Sequence, residues 1–77
     1  MKSKLAERLK QLRARDNISQ AKLAEQINVS LSFIAEIEMN RSSVSIELLI
    51  TLAEFFNVTS DYLIGLETRT WHAHFLE

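Results

Sequence analysis

His72 and His74 are the only imidazoles in the chain, and their i, i+2 spacing would put both rings on one side of an extended segment. Two such ligands can share a metal ion, but protein zinc sites use three or four, and the chain has no cysteine to complete the set. No cofactor or metal is therefore expected. An active site requires converging titratable groups, and the only histidines lie in a tail whose structure the pattern leaves open. The groups that do cluster are hydrogen-bonding ones. Ser19 and Gln20 stand together, then Ser30, Ser32 and Glu36, then Asn40, Arg41, Ser42 and Ser43. Hydroxyls, amides and a cation of this kind bind polar partners and do not by themselves assemble a catalytic group. The chain is not expected to be an enzyme.

The elements that must position these residues read as helices. A sequence of 77 residues with one glycine, no proline and 47% hydrophobic residues is one compact all-α domain, since a sandwich would need frequent turn residues and a second core would be too small. Leu5, Leu9 and Leu12 lie at i, i+4 and i+7, which predicts a first helix over about residues 3–15. Ser19 is an N-cap for a second helix burying Leu23, Ala24 and Ile27, and Asn28 tolerates the left-handed turn that ends it. Ser30 caps a third helix with Ile34 and Ile37 inward, closed by Asn40. Ser45 caps a fourth with Ile46, Leu49, Leu52, Ala53 and Phe56 on one face, ended by Asn57. Thr59 caps a short fifth helix that holds Tyr62 and Leu63, and Gly65 is placed to stop it.

The formal net charge of -1 conceals an asymmetry. Lys2, Lys4, Arg8, Lys10, Arg13 and Arg15 face a single acid, Glu7, in the first fifteen residues, whereas the rest is acidic. A basic face for a polyanion and a plain solvated helix surface both account for this pattern. No apolar run approaches the roughly 18 residues of a membrane span, and the basic start lacks an apolar signal core, so a cytoplasmic location and no membrane partner are expected.

The tight spacing of Leu23, Ile27, Val29, Ile34 and Ile37 is what two helices crossing at a short turn require. The segments ISQAKLAEQINVS, FIAEIE and SIELLITLAEFFNV resemble the phage repressor and Cro family, the Xre-type helix-turn-helix regulators, and the likeness extends over about three quarters of the chain. The resemblance implies a lambda-repressor-like five-helix bundle, with the helix-turn-helix at helices two and three. It also implies a homodimer binding an inverted-repeat operator in double-stranded DNA and regulating transcription, as a repressor. Carried over to this sequence, it places Leu31, Ser32, Phe33 and Glu36 toward bases, although an inward-packed Phe33 stays equally open. Ser19, Gln20, Lys22, Ser30, Asn40, Arg41 and Ser42 fall near the phosphates, with Lys2, Lys4 or Lys10 as further cations. The family pattern also pairs Arg13 with Glu38 in a structural ion pair. Relatives commonly carry Arg, Lys, Gln or Asn on the recognition helix, whereas this one has none and holds two acids.

The alternative on the same fold is an antitoxin or other protein-interaction module, with a toxin or similar protein as partner and weak DNA binding. The expected division is a DNA-binding domain over residues 1–66 and a tail over 67–77. Trp71 and Phe75 would pack that tail on the core or on a second subunit, and Leu76 and Glu77 also read as a vector-encoded scar without a function. A chain of this length leaves no room for a separate sensor or protease domain.

Overall fold

The computed structural model describes residues 4–66. The expected start of the first helix near residue 3, and every expectation for the tail over 67–77, lie outside the described residues.

Five helices follow in order: α1 (Leu5–Arg15), α2 (Gln20–Ile27), α3 (Leu31–Glu38), α4 (Ile46–Phe56) and α5 (Ser60–Ile64). There is no strand among the described residues. α1 buries the predicted leucine stripe, Leu5, Leu9 and Leu12, against Leu23 and Ala24 of α2, Ile34 and Ile37 of α3, Leu52, Ala53 and Phe56 of α4, and Leu63 of α5. One core thus serves all five helices. Ile27, Val29, Phe33, Leu48, Leu49, Val58 and Tyr62 pack around it, half-buried.

Four of the five helices start on a hydroxyl. The side chains of Ser19, Ser30, Ser45 and Thr59 accept the amide N–H of Lys22, Phe33, Leu48 and Tyr62 at 3.0 to 3.1 Å, satisfying donors that helical geometry leaves over. All five helices stop in one way. A left-handed residue, Asn17, Asn28, Asn40, Asn57 or Gly65, turns the chain, and the next amide reaches back to a carbonyl five residues earlier. Ile18, Val29, Val58 and Leu66 are the residues that donate at four of these ends; at the end of α3 it is Arg41, to the Glu36 carbonyl at 2.9 Å.

Ile46 departs from the expectation. It shares the helical period of Leu49 and Ala53, yet it is 72% exposed, while Leu48 and Leu49 of the same turn pack against the core. Arg8, Arg13 and Arg15 depart from a free basic face. The Arg8 guanidinium lies 4.2 Å from the centre of the Tyr62 ring and donates to the Tyr62 carbonyl at 2.9 Å, tying α1 to α5. Arg15 donates to the Phe56 carbonyl at 2.7 Å, at the C-terminal end of α4 where a cation is favoured.

Candidate nucleic-acid interface

α2 and α3 are joined by Asn28, Val29 and Ser30, a turn just long enough to carry the left-handed residue and the next N-cap. Ile34 and Ile37 hold α3 on the core, so the opposite stripe, Leu31, Ser32, Glu36 and Met39, is exposed to solvent. Phe33 is half-buried, with part of its ring packed against the core and part left accessible. Met39, 52% exposed, joins the stripe without having been singled out from sequence; its place at i+8 from Leu31 is the period that could have identified it.

Beneath this stripe lies a polar knot. Arg13 of α1 donates from Nε to Glu38 Oε2 at 2.6 Å and from Nη2 to Glu38 Oε1 at 2.8 Å, and from Nη1 to the Ile18 carbonyl at 3.0 Å. Gln20 of α2 adds its Nε2 to Glu38 Oε1 at 3.0 Å. The Glu38 side chain is 4% exposed and that of Arg13 19%, so this pair is shielded from solvent. Desolvation pushes the Glu38 carboxyl up, but the hydrogen bonds from Arg13 and Gln20, with the charges of Arg13 and Lys10, outweigh it and hold the group below the usual carboxylate range. The hydrogen bonds that Arg13 donates to the Glu38 carboxylate hold its guanidinium above the ordinary value against desolvation. Three helices are therefore locked at one carboxylate, and α3 is presented outward as a rigid edge.

The N-termini of α2 and α3 open to solvent through Ser19 and Ser30, both exposed. Amides of a first turn that the cap does not engage are donors for an anion. Lys10 and Arg13 line a shallow depression with Ser19 at the start of α2, so the structure brings one of the N-terminal lysines to this place. Lys22 is exposed and stands 3.7 Å from Glu25, a loose pairing that leaves it available. Arg41 is exposed on the loop after α3, next to Asn40 and to Ser42, whose hydroxyl donates to Glu36 Oε1 at 3.0 Å. Gln20 is half-buried, and one of its amide hydrogens is engaged by Glu38, so it offers an external group only its second N–H and its carbonyl oxygen.

Among the described residues, no three His, Cys, Asp or Glu side chains come together as metal ligands, and no helix is long and apolar enough to cross a membrane. His72 and His74 lie outside those residues.

Two short helices held at a tight turn, the second with a solvent-facing stripe and both with open N-termini, define a helix-turn-helix domain, a DNA-binding class of regulators and not a class of enzymes. Residues 9–63 match the helix-turn-helix family model, and the chain belongs to the Xre-like helix-turn-helix family. It is 39% identical over 61 residues to the HTH-type transcriptional activator BcrR of Enterococcus faecalis, across 79% of this chain and 30% of that protein. The chain thus spans less than a third of the length of this relative. Its fold is similar to that of a transcriptional regulator from Listeria innocua, with a TM-score of 0.80 and 28% identity over 99% of this chain and 71% of that one.

Proposed function

We propose that this domain reads the major groove of double-stranded DNA with α3, binds an inverted-repeat operator as a homodimer, and represses the promoter it covers. The observation that carries the reading is the Arg13–Glu38–Gln20 knot, which fixes α3 to the scaffold while leaving Leu31, Ser32, Glu36 and Met39 outward. Ser19, Ser30, Lys22, Lys10, Asn40 and Arg41 then lie along the phosphates, with Ser42 beside them hydrogen-bonded to Glu36, while Leu31 and Met39 meet thymine methyls and Gln20 bridges α3 to the backbone.

Arg41 supports the assignment by an independent route. The other four helix ends place Ile18, Val29, Val58 or Leu66 where α3 places Arg41, so the local pattern that favours an apolar side chain is broken here for a cation. The cations along this edge are few, and a single subunit would bind weakly. A two-fold dimer with half-sites about 34 Å apart offsets this, and the exposed Ile46 and Ile50 on the flank of α4 are a surface that a second copy would cover. A bound dimer excludes other proteins from the same groove, which makes repression the simplest outcome; activation is the sign carried by the name of the Enterococcus relative.

A second reading is favoured by one feature: the outer stripe of α3 holds no cation and exposes Leu31 and Met39, which suits a protein partner such as a toxin. Selection from a random duplex pool at about 0.1 M salt separates the two. An enriched inverted repeat, bound more weakly as salt rises, supports the operator reading. Failure to enrich any sequence with folded protein favours the interaction module. A promoter fusion to a reporter then gives the sign of regulation.

A further inference from the structure

Glu36 is doubly tied. Its carbonyl accepts the Arg41 amide at 2.9 Å, and its carboxylate Oε1 accepts the Ser42 hydroxyl at 3.0 Å. Its neighbours on the outer stripe, Leu31, Ser32 and Met39, are uncharged. Glu36 is exposed, and its second carboxylate oxygen, Oε2, has no hydrogen bond among those of the described residues.

Resting on the DNA-reading function above, we propose that Glu36 selects cytosine at one position of each half-site and that Ser42 is the positioning residue that holds it for this task. A carboxylate carries only acceptors, and in a groove flanked by phosphates its burial is tolerable only against a donor. Two groups on the major-groove edges donate, cytosine N4 and adenine N6. The adenine amino group lies beside the N7 acceptor of the same base, which repels a carboxylate, whereas the cytosine amino group has a C5–H as its neighbour. Guanine and thymine offer only acceptors at their own edges. Ser42 uses its one O–H on Oε1, so it fixes the carboxylate before DNA arrives and leaves Oε2 for the base. The same geometry withdraws the Ser42 hydroxyl proton from the phosphate, so Ser42 supports recognition by orienting Glu36 and not by holding the backbone.

The test is a selection from a random duplex pool with the full chain and its Glu36→Gln and Ser42→Ala variants, followed by titration of single-base changes in the selected site. For the parent, one position per half-site should be cytosine, and changing it should weaken binding about tenfold, within the range of one good side-chain contact to a base. Glu36→Gln should transfer the preference at that position alone to adenine, whose N6 and N7 a carboxamide matches. It should also tighten binding to scrambled duplex, because a negative charge is gone. Ser42→Ala should keep cytosine first but reduce the discrimination to a few-fold. A purely structural role for Glu36 would weaken all sequences alike. If the parent enriches a site and Glu36→Gln enriches the same one, the inference is overturned while the DNA-reading function stands. If no protein enriches any duplex, both fall together.

Discussion

The guanidinium of Arg13 in α1 grips the carboxylate of Glu38 at the end of α3 through two hydrogen bonds, Nε to Oε2 at 2.6 Å and Nη2 to Oε1 at 2.8 Å. Such a bidentate pair is specific in direction as well as favourable, and it sets the angle at which α3 leaves the core. Arg13→Met leaves Glu38 buried with only Gln20 for company and should destabilise the fold by about 3 kcal/mol. The double substitution Arg13→Met, Glu38→Leu should recover most of that loss, because no charge is then stranded. Urea unfolding of the three proteins measures both. Equal losses in the single and double variants would mean that the pair itself, and not the stranded charge, is what matters.

The same carboxylate gives the fold a dependence on acid. Glu38 is held below its ordinary value of 4.5 in the native state, so the unfolded chain takes up the proton first as pH falls. The contribution is therefore complete above that ordinary value and is lost as pH drops through it toward the lower native one. The urea midpoint should fall between pH 6 and pH 3, and more steeply for the parent than for Glu38→Gln. Asp16 is also held low, by its hydrogen bond with Arg15, but it is exposed, and Asp16→Asn should leave the profile nearly unchanged.

Helix ends should respond to substitution according to backbone angle. Gly65 has φ of +88°, and an added Cβ would come within 2.7 Å of Lys4 Cγ, so Gly65→Ala should cost about 1 to 2 kcal/mol in thermal unfolding. Asn57, at φ of +59°, should tolerate glycine with little change, while Asn57→Ala should cost about 1 kcal/mol. Equal melting temperatures for Asn57→Gly and Asn57→Ala would show that the left-handed turn carries no strain.

Arg41 offers a separation of stability from binding. Arg41→Ile puts an aliphatic side chain where Ile18, Val29, Val58 and Leu66 stand at the other helix ends, so the melting temperature should hold or rise. Affinity for every duplex should fall, and the slope of log K against log salt should become shallower by about one unit. An unchanged salt slope would remove Arg41 from the phosphate contacts.

The local signals along this chain were legible because each acts within one turn of backbone. A hydroxyl at Ser19, Ser30, Ser45 or Thr59 caps the amide three residues on, and an asparagine or glycine makes the left-handed turn at the far end, so element order and bounds follow from residue type. The leucine stripe of α1 and the inward pair Ile34 and Ile37 follow in the same way from period. The choice of partner across the fold was not legible. Period put Ile46 with the core, yet burial depends on what packs over a side chain, and among the described residues Ile46 stays 72% exposed. Counting charges found a basic first helix, but Arg8 and Arg15 reach carbonyls 54 and 41 residues away, which no spacing announces.

Residue types and their periods thus established five helices, their caps and the face of each that is apolar, since these depend on hydrogen bonds and side-chain directions repeated every few residues. Tertiary packing alone decided that Gln20 turns an amide hydrogen to Glu38, that Ser42 turns its hydroxyl to Glu36, and that the arginines of α1 brace the fold. A side-chain donor takes the acceptor that packing brings within about 3 Å, and only the assembled core determines which acceptor that is.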